Sequence, residues 1–282
     1  MEKNNIIHIV LGKANPNRQN GVNKVVYELA MNQAQNGHQV TVWGITHNPV
    51  VNFSKRKFTT RLFKDSFMKF AVSPRLKQAI VRAQKDTVFH LHGGFLPQLF
   101  MVSRFLKRNK HNYIYTPHGA FNSEAIKRSK WKKEIYVRLF ERSVVSNARY
   151  VHAIGKSEII GTKSIFGSSQ RIELVPNGHR SSSSIFPKIQ NNGDRTNFGF
   201  IGRLDLHTKG LDILLDGFKN FLRAGGHGVL HIAGSGEDEK RIKSYVEEKE
   251  MTQSVVFYGA LFGDEKDQFL SGLDYLCLTS RH

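Results

Sequence analysis

The chain has 282 residues, enough for one large domain or two medium ones. Hydrophobic residues make up 39% and aromatics 11%, which supports real buried cores and excludes a disordered or fibrous chain. The formal net charge of +19 is unevenly spread: 31 Lys and Arg stand against 9 Asp and Glu through residue 190, then 11 against 14 from residue 191. The single cysteine, Cys277, excludes a disulfide framework and a cysteine-rich zinc site, and it fits a reducing, cytoplasmic compartment.

The elements alternate along the chain. Ile6–Gly12 is short, apolar and interrupted by His8. No small-residue cleavage site follows, so it reads as a buried strand and not a signal peptide. From Gly21 to Asn36, Val22, Val25, Val26, Leu29, Ala30 and Ala34 fall at helical spacing, with Gly37 as the closing cap. His38–Gly44, Thr87–Leu91, Tyr113–Thr116, Tyr150–Ile154 and Arg171–Val175 read as strands. Phe95–Asn109 and Trp131–Ser146 are helical segments between them. Ser181–Ser184 and Gln190–Thr196 are polar and mark a linker. The pattern then restarts, with strands at Asn197–Ile201, Val229–Ala233, Ser254–Tyr258 and Asp274–Leu278 and helices at Gly210–Ala224, Glu237–Glu250 and Asp264–Ser271. Two such runs predict an α/β protein with two parallel-sheet domains, 1–187 and 188–282, which bind ligands at the carboxyl ends of their strands. No apolar run reaches the roughly 18 residues of a membrane span.

The basic excess is densest from Phe53 to Lys85, where ten cations meet one acid, Asp65. Phe53, Phe58, Leu62, Phe63, Phe67, Met68 and Phe70 are interleaved with them. Apolar bulk among cations suits an interfacial helix or loop on anionic lipid; the same pattern also suits a solvated basic face above a core stripe. Nucleic acid is not expected as a partner, because no RNP-type aromatic motif, zinc knuckle or continuous basic recognition helix is present.

Four local signals carry chemistry. Asn20-Gly21-Val22 follows the first strand and opens a helix, either as a phosphate-binding turn or as a plain strand-to-helix turn. There is no G-x-G-x-x-G or Walker loop. In Gly202-Arg203-Leu204-Asp205 and the following Lys209-Gly210, a strand ends at an arginine and a lysine precedes the next helix. Two cations at that position suit a diphosphate. In Thr116-Pro117-His118-Gly119, Gly119 permits close backbone approach, and the imidazole of His118 can donate or accept near neutral pH. His90 and His92 lie two apart, which would suit a metal, but no third ligand is evident in the sequence. Ala233-Gly234-Ser235-Gly236-Glu237 is either a nucleotide-proximal loop or a tight turn.

In this order the segments resemble the family-four retaining glycosyltransferases of GT-B fold that act in bacterial envelope polysaccharide synthesis. The matching runs are Gly21-Val22 through Gly37-His38-Gln39-Val40, Thr116-Pro117-His118-Gly119, Val175-Pro176-Asn177-Gly178, Gly202-Arg203-Leu204 with Lys209-Gly210-Leu211-Asp212, and Gly234-Ser235-Gly236. Pro117-His118-Gly119-Ala120 through Lys130-Trp131-Lys132-Lys133 is similar to a capsule and lipopolysaccharide subgroup.

The resemblance implies a nucleotide-diphosphate sugar donor, with Arg203 and Lys209 on its diphosphate. It further implies that Gly21 lets the first domain close over the phosphates, that His118 contacts the donor sugar, and that Leu261 lies in the base-contacting loop. The implied acceptor is a lipid-linked glycan or oligosaccharide, met at the inner face of the plasma membrane. No metal or other cofactor is implied, because cations and helix dipoles stabilise the leaving diphosphate. The family also carries two glutamates seven residues apart after a segment like Leu278–His282, where this chain stops. The second domain is therefore expected to be truncated, to leave an exposed apolar edge, and to turn over poorly. A non-catalytic protein bound to an anionic membrane surface is the alternative.

Overall fold

The computed structural model describes residues 4–16, 21–51, 56–66, 68–122, 126, 130–178 and 195–281. Asn20, Phe53, Phe67, Ser181–Ser184 and the linker before Arg195 lie outside the described residues. The chain divides into two compact units, Met1–His179 and Arg180–His282.

The first unit is built on a seven-stranded parallel sheet. Its strands are β1 (Asn5–Leu11), β2 (Gln39–Thr46), β3 (Thr59–Lys64), β4 (Val88–His92), β5 (Tyr113–Thr116), β6 (Tyr150–Ala153) and β7 (Ile172–Leu174). They lie in the order β3-β2-β1-β4-β5-β6-β7. The connecting helices are α1 (Gly21–Gln35), α2 (Pro74–Arg82), α3 (Pro97–Arg108), α4 (Lys130–Tyr136), α5 (Arg142–Asn147) and α6 (Lys156–Phe166). Local chemistry starts α2 and α3, since each has proline in its first turn, where a missing N–H costs nothing. Ser73 caps α2 by accepting the Leu76 N–H.

Alternation along the strands divides the side chains between the two faces of the sheet. Ile7, Ile9, Trp43, Phe63, Phe89, Leu91, Tyr113 and Tyr115 pack with Leu76, Ile80 and Leu106 of α2 and α3. On the other face, Ile6, Val10, Val40 and Val42 pack with Val26 and Ala30 of α1. Parallel register carries a polar stripe across that second face: His8 pairs with His90, and His92 with Thr116.

In its described residues the basic stretch from Phe53 to Lys85 combines a strand and a helix. It holds the edge strand β3 and the amphipathic α2, two elements that its composition concealed. Phe63, an inward position of β3, and Phe58, just before the strand, are core residues, packed in the clusters on the two faces of the sheet. Met68 and Phe70 remain outward, 69% and 44% exposed. Between α4 and α5 a π-helical turn, Val137–Glu141, interrupts the segment expected to be one helix. It buries Glu141, which accepts the Tyr115 hydroxyl and, at 3.3 Å, the Phe95 N–H.

The second unit has four parallel strands: β8 (Thr196–Ile201), β9 (Gly228–Ala233), β10 (Val255–Gly259) and the short β11 (Tyr275–Leu276), ordered β10-β9-β8-β11. Its helices are α7 (Leu206–Lys209), α8 (Leu211–Arg223), α9 (Glu239–Glu248) and α10 (Gly263–Ser271). Leu211, Leu214, Leu215 and Phe218 of α8 and Ile242 and Val246 of α9 pack with Phe200, Leu230 and Ile232 of the sheet. β11 forms one edge, where Tyr275 and Leu278 are 61% and 76% exposed.

Candidate active site

Each sheet reverses its strand order once, and such a switch point is where open parallel sheets bind ligands. In the first unit it falls between β1 and β4 and in the second between β8 and β11. Gly21 follows β1 at the first of these places and Arg203 and Lys209 follow β8 at the second, whereas His118 follows β5 and Leu261 follows β10, the outer strand of its sheet.

In the first unit the loop after β1 is held by Asn23 of α1, a buried polar residue that sequence reasoning missed. Its Oδ1 accepts the N–H groups of Lys13 and Ala14 at 3.0 and 2.8 Å, and its Nδ2 donates to the Leu11 carbonyl at 3.1 Å. Gly12 is required there: at φ +116 its position has no room for a side chain, because a Cβ would lie 2.5 Å from Asn23 Oδ1. Gly21 opens α1 as expected, with free space around it.

His118 sits just past β5 in the left-handed region, φ 53, followed by Gly119 at φ 81. A non-glycine residue held there stores strain, which recurs at functional sites. Glu158 of α6 holds the turn by accepting Gly119 N–H at 2.5 Å and Ile154 N–H at 3.0 Å. Burial pushes its carboxyl up, and these two bonds pull it back.

The His118 imidazole titrates well below neutrality and stays a neutral donor and acceptor. Burial lowers it from 6.5 to about 4, with His152 adding to the drop, so the ring is neutral at physiological pH. It belongs to a hydrogen-bonded row. His118 Nε2 lies 3.0 Å from His92 Nδ1, His92 Nε2 lies 2.9 Å from His8 Nδ1, and His8 Nε2 lies 2.7 Å from Gln33 Oε1. A parallel row joins His90 Nε2 to Thr116 Oγ1 at 2.6 Å, Thr116 to His152 Nδ1 at 2.9 Å, and His152 Nε2 to the Val175 carbonyl at 2.7 Å. Burial holds His8 at about 4 and pushes His90 and His92 well below the ordinary value.

The nitrogen that the His90 and His92 pair lacked in the sequence comes from His8, and one donor atom from each of the three lies within 4.8 Å of the others. The facing nitrogens of His8 and His92 are 2.9 Å apart, a hydrogen-bond length with a proton between them. His8 and His92 are hydrogen-bonded to each other.

In the second unit β8 runs out at Gly202 and Arg203. Arg203 is 60% exposed on its side chain and pairs with Asp205 at 3.0 Å. Asp205 caps α7 by accepting the Thr208 N–H at 2.8 Å. Lys209 is the last residue of this short helix, and its carbonyl accepts the Thr279 hydroxyl at 3.0 Å. Arg203 and Lys209 thus bracket one helical turn at the carboxyl end of β8.

Arg281, which the sequence did not single out, grips the same corner. It binds Asp212 in the first turn of α8 through both Nη atoms, at 2.9 and 2.7 Å, and donates to the carbonyl of His207 at 2.9 Å. Gly234 and Gly236 serve packing: a Cβ on Gly234 would lie 1.8 Å from the Gly202 carbonyl oxygen. That close approach lets Leu204 N–H reach the Ser235 carbonyl at 3.0 Å, so the glycine loop buttresses the Arg203 loop. Leu261 lies half-buried in the loop after β10.

Two Rossmann-like units, each with polar groups at its switch point, define an α/β protein of the GT-B class. The chain belongs to glycosyltransferase family 4: the model described as Glycosyltransferase Family 4 matches residues 19–181, and that described as Glycosyl transferases group 1 matches residues 181–282.

An uncharacterized 41.2 kDa protein in the cps region of Klebsiella pneumoniae is 26% identical over 211 residues, covering 71% of this chain and 56% of that protein. The chain thus spans little more than half the length of that curated relative. Among solved structures, the apo form of the lipopolysaccharide outer core galactosyltransferase WaaB is similar at TM-score 0.67 and 19% identity, over 98% of this chain and 74% of that one. HepE from Anabaena, in complex with UDP-glucose, is similar at TM-score 0.69 and 13% identity, over 98% and 74%. These likenesses show the shared fold.

Proposed function

We propose that the protein to which this chain belongs transfers a sugar, with retention, from a nucleotide-diphosphate donor to a lipid-linked or oligosaccharide acceptor of the cell envelope. The observation that carries the reading is the pair Arg203, before α7, and Lys209, its last residue, at the carboxyl end of β8 beside the strand-order reversal. Family membership and the likeness to HepE, solved with UDP-glucose, support the donor class. The likeness to WaaB and the relative in a cps region support an envelope glycan.

In this reading the guanidinium and ammonium offset the charge that builds on the departing diphosphate. Neutral His118 hydrogen-bonds the donor sugar, Gly21 admits the phosphates to the start of α1, and Leu261 borders the base. The leaving phosphate takes the proton of the acceptor hydroxyl on the same face, which gives retention. Titration calorimetry of the chain with UDP tests the donor site. Arg203→Ala is expected to abolish binding, and an unchanged affinity overturns the assignment.

A peripheral place on the inner face of the plasma membrane is part of the proposal. It is favoured by Met68, Phe70 and Val81, exposed among Lys69, Arg75, Lys77 and Arg82. Sedimentation with anionic and neutral liposomes at two salt concentrations tests it. Salt-sensitive binding to the anionic vesicles is expected. The same binding without any nucleotide affinity would favour a non-catalytic surface protein instead.

A further inference from the structure

We infer that Gln33 is a positioning residue: acting through His8 and His92, it fixes the proton of His118 on Nε2 and leaves Nδ1 as a hydrogen-bond acceptor. The inference rests on the proposed contact between His118 and a sugar hydroxyl, and it names the form of the imidazole that makes that contact.

A neutral imidazole has one N–H and one lone pair. His8, His92 and His118 are all kept neutral by burial. Each link in a row of neutral rings therefore has one donor and one acceptor, and the orientation at one end sets every other. The far end is Gln33 Oε1, a pure acceptor 2.7 Å from His8 Nε2.

His8 Nε2 must then carry the proton, which makes His8 Nδ1 a lone pair. That lone pair, 2.9 Å away, receives the proton of His92 Nε2. His92 Nδ1 is in turn a lone pair and receives the proton of His118 Nε2 at 3.0 Å. His118 Nδ1 has no proton left to carry.

The second row supplies an internal reference. It ends on the carbonyl of Val175, which only accepts, so His152 Nε2 donates. With one proton on His152, Thr116 donates to His152 Nδ1 and receives from His90 Nε2. His90 is thus in the Nε2–H form for a reason independent of Gln33. A chemical consequence follows for His118. Facing substrate with a bare Nδ1, it accepts from a sugar hydroxyl and does not donate to it, and with its basicity lowered by burial it holds that hydroxyl without taking its proton.

The test is long-range proton–nitrogen correlation NMR of the full chain labelled with nitrogen-15 histidine at neutral pH. Resonances are assigned by single substitution of each histidine. His8, His92 and His118 are expected in the Nε2–H form. Gln33→Glu retains an acceptor oxygen and should retain all three. Gln33→Leu removes it and should convert His118 wholly or partly to the Nδ1–H form, while His90 keeps its own. Gln33 is half-buried on α1, so loss of fold is not expected, and circular dichroism checks that. His118 protonated on Nδ1 in the unaltered chain, or unmoved by Gln33→Leu, overturns the inference. The spectra need no nucleotide, so a failure to bind UDP would count against the donor site and leave the proton wiring to be decided by NMR alone.

Discussion

Glu158 accepts the backbone N–H of Gly119 at 2.5 Å and so ties α6 to the strained turn that carries His118. Its other oxygen holds Ile154 N–H, and its own carbonyl receives the Thr162 hydroxyl at 2.6 Å. One buried carboxylate therefore joins the ends of β5 and β6.

Replacing Glu158 with alanine strips both N–H groups of their acceptor. Each buried group left unpaired costs about 1–3 kcal/mol. The thermal midpoint of Glu158→Ala is expected to fall by several degrees. Glu158→Gln keeps one acceptor but sets an amide NH2 against the second N–H, so it should lie between. Identical melting curves for the three proteins would show that the bonds carry no weight.

Asn23 gives a graded series on the neighbouring loop. Asn23→Asp keeps the acceptor for Lys13 and Ala14 but loses the donor to Leu11, whereas Asn23→Leu loses all three bonds. Urea unfolding is expected to rank the chain above the aspartate variant and the aspartate above the leucine, each step costing about 1 kcal/mol or more. A leucine variant as stable as the parent would contradict the role assigned to this side chain.

Stability should fall on acidification. His8 and His118 titrate at about 4 in the folded chain against an ordinary 6.5, and His90 and His92 lie well below it. Below pH 6.5 the unfolded chain thus binds more protons than the folded one. Each excess proton removes about 1.4 kcal/mol per pH unit down to the folded value. Glu141 works in the opposite direction. Burial raises it from 4.5 to about 7, so between those values the folded chain holds a proton that the unfolded chain lacks, and acid adds stability. Glu158, also raised by burial, acts in the same sense as Glu141, and four histidines outweigh two glutamates. The urea midpoint should drop from pH 7 to pH 5, and Glu141→Gln should steepen that drop. A midpoint independent of pH over this range would exclude the buried neutral row.

The elements were legible where local pattern is strong. Tyr113–Thr116 is observed with the expected bounds, and Gly21 opens α1 as its spacing suggests. β3 was not legible, because its cations, Arg61 and Lys64, masked the inward Phe63. The π-helical turn left no sequence mark beyond a glutamate in an apolar segment. At the site, the strand-end positions of Arg203 and His118 could be read from a strand followed by a glycine-containing turn. Asn23 and Gln33 could not, because each is an ordinary polar residue on a helix until its partner is known.

The sequence by itself determined two successive strand-helix runs, the basic excess of the first, and the strand ends that carry Arg203 and His118. These follow from period, turn residues and charge, all of which are local. Only the tertiary structure decided that residues 8, 90, 92, 116, 118 and 152 form two rows, since they come from four strands and one turn. Alternation assigns a side chain to one of two faces, but the order and register of the strands choose its neighbours. Pairing between distant segments supplies that choice, and with it the low dielectric that keeps His8, His90, His92 and His118 neutral.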